Sequence, residues 1–303
     1  MSLKLPVEIE SAVQPLMNAH GGIGSVELLA LPRLVPDYVE KAIVFTPQAE
    51  PALLVMIAPP AYPDCVRDAF RRAGEARLAL RGTIGEAVQV ALCNGSADGQ
   101  SFAVVPYLSP LARGRLRRRW DKLRLRRPVL TWLREVTRQT VSVPPADAHV
   151  ESFFKPLLSL STHEAVSERV REAARDSLRA LESGRWQPRW VLAHNDLWLG
   201  NLLHRRPVQT EAPGFAVIDW GASRVRGYPV YDLLTMATSI NLSTRSLRRE
   251  LREHSAMLGC EPANASHHLL AALGALSLTL GQWPVERFAA TAHRFVTLMD
   301  EAG

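Results

Sequence analysis

With 303 residues, 47% of them hydrophobic and 22% charged, the chain is long enough for one large domain or two lobes and too apolar for a disordered tail. Its net charge of +6 is concentrated in one place, because residues 111–127 hold nine basic side chains against the single acid Asp121, a local +8 that leaves −2 for the rest. The three cysteines, Cys65, Cys93 and Cys260, are far apart and odd in number, which excludes a disulfide framework and a clustered zinc site.

Taken in chain order, the first 20 residues carry Pro6, Glu8 and Glu10 and no continuous apolar core, so no secretory signal is read there. Residues 26–30, 39–45 and 52–58 are short apolar or alternating runs, the last stopped by Pro59-Pro60. Residues 63–80 place Val66, Ala69, Phe70, Ala73 and Leu78 at helical spacing, and two further strands are predicted at 88–92 and 102–107, with Asn94-Gly95 and Asp98-Gly99 as turn signals between them. This predicts a small lobe over residues 1–107, a five-stranded sheet with one helix.

A composition break at 106–111 opens a larger helical lobe over 108–303. Its basic segment, 111–127, interleaves Leu116, Trp120, Leu123 and Leu125 with arginines. It reads either as an amphipathic helix suited to phosphates, anionic lipid heads or acidic glycans, or as a solvated basic face. No aromatic-rich motif supports nucleic acid. Helices are predicted at 129–140, 152–160, 163–183, 231–242, 247–257, 266–280 and 284–301, with a loop at 141–148. The longest apolar run, 269–280, contains Gly274, Ser277 and Thr279 and falls short of the roughly 20 residues that span a bilayer, so it reads as a buried helix. The fold class is α+β and the expected location is the cytoplasm.

Inside the helical part lie two β-like pieces, 190–193 and 215–218, each ending in polar residues. The first runs into His194-Asn195-Asp196, with Asn201 five positions beyond the aspartate, and the second delivers Asp219-Trp220-Gly221. Phosphoryl transfer needs such parts: a carboxylate for the attacking hydroxyl, and an amide oxygen with a second carboxylate for Mg²⁺ at the phosphates.

In these motifs the sequence resembles the aminoglycoside phosphotransferase and choline kinase family, the small-molecule branch of the protein-kinase-like fold. Leu197-Trp198 followed by Gly200-Asn201 is similar to fructosamine-kinase-like members. The resemblance implies two lobes, ATP and Mg²⁺ as cofactors, Asp196 as the catalytic base, and Asn201 and Asp219 as metal and nucleotide ligands. It implies that His194 is a scaffold residue of the catalytic loop, and that Asp232, in Gly227-Tyr228-Pro229-Val230-Tyr231-Asp232, braces that loop. Asn195 stands where a glycine is usual.

The small lobe departs further. Aligning Ala52–Ala58 with the family's third strand puts Met56 at the lysine position, and the loop 31–38 has no glycine to cradle phosphate. Glu75 is the candidate helix acid, or only a solvent-facing partner of Arg71 or Arg72. Lys41, on the second strand, is the candidate replacement cation, as in with-no-lysine protein kinases, with Arg33 as a further substitute; an ordinary exposed lysine is the alternative. The expected function is ATP-dependent phosphorylation of a hydroxyl on a sugar, amino-sugar or glycolipid. A pseudokinase that scaffolds a partner or senses a ligand is the alternative left open by Met56.

Overall fold

The computed structural model describes residues 4–29, 39–111, 114–205, 213–281 and 283–302. They divide into two compact units, one of Met1–Leu78, Gly85–Leu111 and Leu202–Ala222, the other of Ala79–Ile84, Ala112–Asn201 and Ser223–Gly303. In chain order the elements are α1 (Val7–Asn18), β1 (Ser25–Leu28), β2 (Glu40–Phe45), β3 (Pro51–Ile57), α2 (Cys65–Ala79), β4 (Cys93–Ala97), β5 (Gln100–Pro106), β6 (Ser109–Pro110) and α3 (Arg115–Thr140). There follow α4 (Lys155–Thr162), α5 (Glu168–Glu182), β7 (Val191–Ala193), β8 (Leu202–His204), β9 (Phe215–Val217), β10 (Arg224–Gly227), α6 (Tyr231–Ser239), α7 (Thr244–Leu258), α8 (Ala265–Ser277) and α9 (Val285–Ala302).

The first unit is built on an antiparallel sheet in the order β1-β2-β3-β5-β4. Its strands alternate. Ala42, Val44, Leu53 and Val55 are buried on the face that also receives Ile9, Val13 and Met17 of α1. The opposite face carries Met56, which packs with Val39, Ala103 and the α2 residues Val66 and Phe70. The sequence reading has no helix before β1, although Ile9, Val13 and Met17 repeat at a four-residue interval that puts them on one helical face.

The fourth strand lies at Cys93–Ala97 rather than at the expected 88–92. The reason is the turn. Asp98 and Gly99 have φ of 50° and 76°, the two left-handed residues of a tight hairpin, and they pin β4 against β5 with Ala97 opposite Gln100. Asn94-Gly95 therefore falls within the strand, where a side chain at Gly95 would lie 2.9 Å from the Phe102 ring. Val88 makes a single parallel bridge to Val217. A second small sheet of this unit, β6-β8-β9, carries the end of β9 toward Asp219.

The second unit is helical, with β7 and β10 paired antiparallel. Phe153, Trp186, Trp190 and Tyr228 form an aromatic core in which Phe153 contacts the other three at 5.6 to 6.4 Å between ring centroids. In α8 the run Leu269–Gly274 is buried, as its apolarity predicts, and Gly274 lies so close to the Pro156 carbonyl that no side chain fits. The helix expected from 129 begins at Arg115 and runs through the basic segment and past Pro128. The helix expected from 163 begins at Glu168, after Ser167 in an extended N-cap conformation.

Candidate active site

The helical unit contains the first of the two strand-end aspartates. All three residues of β7 are buried, and Gly227 of β10 passes Ala193 at a distance that admits no Cβ. The chain then turns at Asn195, whose φ is 65°. Asparagine is among the few residues other than glycine that visit this left-handed region readily, so the turn is kept without the usual glycine.

Asp232, buried in the first turn of α6, holds the turn from below. Its two carboxylate oxygens accept from the backbone N–H groups of His194 at 2.6 Å and Asn195 at 2.9 Å. Burial pushes its carboxyl up to about 6, against the pull of those two hydrogen bonds, and the neighbouring Asp196 charge adds to the rise. Burial also raises the Tyr231 phenol, helped by Asp232 and Asp196.

His194 is buried, and its Nδ1 accepts the Asp196 N–H at 3.2 Å, which places it as a scaffold for the loop. Asn201 is buried as well. Its Nδ2 donates to the Asp196 carbonyl at 2.8 Å and to Asp196 Oδ2 at 2.9 Å. The Asp196 carboxylate is thus exposed yet held in one orientation. Buried Leu197 and Leu199 anchor the loop on either side of Trp198, whose indole covers Gly200, and Leu199 N–H donates to Ser239 Oγ at 2.8 Å. Ser239, on a distant helix, carries no sequence signal.

The other aspartate belongs to the first unit. The buried strand β9 ends at Asp219, exposed with φ of 65°, and Trp220 Nε1 donates back to the Val217 carbonyl at 2.9 Å. The Gly221 carbonyl accepts a hydrogen bond from Arg72 Nη1 of α2. Arg72 is suggested by the sequence only as a candidate partner of Glu75. Its place immediately before buried Ala73 and four before buried Ala76 puts it beside the inner face of α2, which was the available signal.

The candidate phosphate-gripping residues separate. Lys41 lies directly opposite Met56 in the β2–β3 register, and paired residues of neighbouring strands point to the same face, here the one that α2 covers. Glu75 is on the outer side of α2, 46% exposed, with its carboxylate held by Arg71 Nη1 at 2.6 Å. The loop 31–38 with Arg33 lies outside the described residues.

Hard oxygen donors suit Mg²⁺. Asn201 can offer its amide oxygen, since both side-chain hydrogen bonds described for it run through Nδ2, and Asp219 can offer an exposed carboxylate. Among the described residues no group of three His, Cys, Asp or Glu side chains could hold a metal ion.

The sequence profile of the phosphotransferase enzyme family matches residues 44–270. The chain belongs to this family. No curated protein matches it. Among solved structures it is similar to a thermostable mutant of aminoglycoside phosphotransferase APH(4)-Ia in ternary complex with AMP-PNP and hygromycin B, at 11% identity and a TM-score of 0.55, covering 98% of this chain and 99% of that one. It is similar to macrolide 2'-phosphotransferase MphH from Brachybacterium faecium at 16% identity and a TM-score of 0.52, with 94% and 97% covered. A choline/ethanolamine kinase family protein from Mesorhizobium loti gives 13% identity and a TM-score of 0.52, with 96% and 93% covered. The fold is therefore the α+β protein-kinase-like fold of family members that act on small molecules. No helix among the described residues is long and apolar enough to cross a membrane.

Proposed function

We propose that this family member transfers the γ-phosphoryl group of ATP to a hydroxyl of a small molecule. The observation that carries the reading is the Asp196 carboxylate, exposed and oriented by Asn201 within a loop whose two turn N–H groups end on buried Asp232. Asp196 takes the proton as the acceptor oxygen bonds to the γ-phosphorus and the bond to ADP breaks, which yields a phosphate ester and ADP. Asn201 and Asp219 are assigned as the Mg²⁺ ligands, and Lys41 as the cation on the nucleotide phosphates in place of a third-strand lysine. Bound Mg²⁺ would supply charge neutralisation at those phosphates. Nothing in the reading needs Glu75, whose carboxylate Arg71 occupies.

The acceptor class we favour is a sugar, amino-sugar or glycolipid. A cationic drug is poorly matched to a chain whose excess charge is positive and concentrated at 111–127. The test is a screen of purified protein with Mg²⁺ and labelled ATP against sugars, amino-sugars, ketosamines and lipid-linked saccharides. Label transferred to one class, and lost on chelation, supports the reading. Mg-ATP bound without transfer to any class would favour the ligand-sensing or scaffold reading that Met56 keeps in play.

A further inference from the structure

The two halves of α3 face different surroundings. From Leu125 onward the helix buries Val129, Leu130, Trp132, Leu133 and Val136. Before it, Leu116, Trp120 and Leu123 are 77%, 73% and 60% exposed. Their spacing of four and three residues puts all three on one helical face, away from Leu125, Val129, Trp132, Leu133 and Val136, and only Leu130, seven residues past Leu123, continues that face into the interior beside α7. Exposed Arg119 and Arg124 flank this stripe, and half-buried Lys122 lies toward the buried side of the helix.

Farther along the same face, Leu123 also lines a groove of about 650 Å³ between α3 and α7, rimmed by Arg126, Arg127, Arg134 and Arg249. Part of that charge is compensated inside the protein. Buried Glu250 lies 3.7 Å from Arg134 and 3.2 Å from Arg249, and Arg126 donates to Ser246 Oγ at 2.8 Å. Arg127 stands exposed at the groove mouth beside the stripe.

A tryptophan and two leucines exposed on one face of an arginine-rich helix cost solvation and do nothing for the fold they leave. The arrangement suits an interface with an apolar layer beneath an anionic one: apolar side chains enter the acyl boundary, the indole sits at headgroup level, and the guanidinium groups take the phosphates. A second copy of the chain is a poor occupant, since it would bring one +8 segment against another. Nucleic acid would meet the charges but leave the leucines against a polar backbone. We infer that the first half of α3, with the arginine-rimmed groove behind it, is a docking surface for an anionic membrane. The contact is peripheral, because no described helix crosses a bilayer.

The experiment is flotation of nucleotide-free protein with vesicles of phosphatidylcholine alone or mixed with phosphatidylglycerol, so its outcome is independent of the kinase reading. Wild type is expected on the mixed vesicles only, with binding that weakens as salt rises. Replacing Arg119, Arg124 and Arg127 by glutamine should lower the partition about a hundredfold, three charges at about 1 kcal/mol each. Leu116→Ser with Leu123→Ser should lower it by at least about tenfold at unchanged charge and thermal midpoint. The vesicle-induced blue shift of indole emission should vanish in Trp120→Phe although the other six of the seven tryptophans remain. Equal binding to neutral vesicles, no binding to either, an unaffected Leu116/Leu123 variant, release by millimolar inorganic phosphate, or dimerisation through the stripe would each overturn the proposal.

Discussion

The loop from His194 to Asn201 and the strand from Pro51 to Ile57 fix their polar groups in opposite ways. In the loop, backbone and side chains satisfy one another within eight residues, and a single buried carboxylate, Asp232, closes the turn. On the strand the position that should hold a cation holds Met56, and the lysine that shares its face comes from the neighbouring strand. A proton acceptor needs one orientation, which only a tight local network provides. A phosphate needs positive charge within reach, and any paired strand position on the same face can present it.

The strongest way to break this comparison is Asp196→Asn. It should lower turnover by about 10²- to 10⁴-fold while the affinity for Mg-ATP stays near wild type, read by steady-state kinetics and calorimetry on one preparation. A variant that turns over normally would remove Asp196 from the chemistry. Lys41→Met should weaken Mg-ATP binding by about tenfold to a hundredfold, the range of one charge-assisted contact, and Met56→Lys added to it should restore part of the loss. Unchanged binding in Lys41→Met would make that lysine an ordinary surface residue. Arg72→Met should cost less, about tenfold in Mg²⁺ affinity, because it frees the Gly221 carbonyl two residues from Asp219 without removing a ligand. Arg72→Lys should recover most of it, and equal Mg²⁺ affinity in all three proteins would confine Arg72 to packing.

The smallest expected effect is on stability. Burial lowers His254 to about 4 and His268 to about 3, and His268 Nε2 already accepts from Trp186 and from the Arg189 N–H, at 3.4 and 3.2 Å. The unfolded chain therefore takes up protons that the folded one refuses, and stability falls as pH drops from about 6.5 toward 4 and 3. Asp232 runs the other way, since its folded carboxyl titrates near 6 and its contribution falls as pH rises from about 4 to about 6. With two bases against one acid, denaturation midpoints should be lower at about pH 5 than at about pH 7.5. A midpoint that rises on acidification would contradict the burial assigned to the histidines.

The conformation of the candidate loop was legible because its residues are consecutive: one strand and one turn lead to Asp196 with Asn201 five positions on, and even Asn195 makes sense from its own φ. The five strands and one helix of the sheet were legible from alternation and turns, but the fourth strand was displaced because Asp98-Gly99, and not Asn94-Gly95, supplies the two left-handed residues. What stayed hidden depends on tertiary neighbours. Ser239 serves Leu199 from a helix 40 positions away with no local pattern to mark it, and Arg72 serves Gly221 across 149 positions, marked only by its place beside the inner face of α2. Glu75 shows the same limit from the other side, because only the folded helix decides between a neighbour at four residues and a strand.

The most direct test of the account is calorimetric titration of ATP into the wild-type chain and Asp219→Ala, each with and without Mg²⁺. The account predicts binding to wild type that needs Mg²⁺ and is strongly weakened in the variant. No binding to wild type, or binding indifferent to both the cation and Asp219, would contradict it.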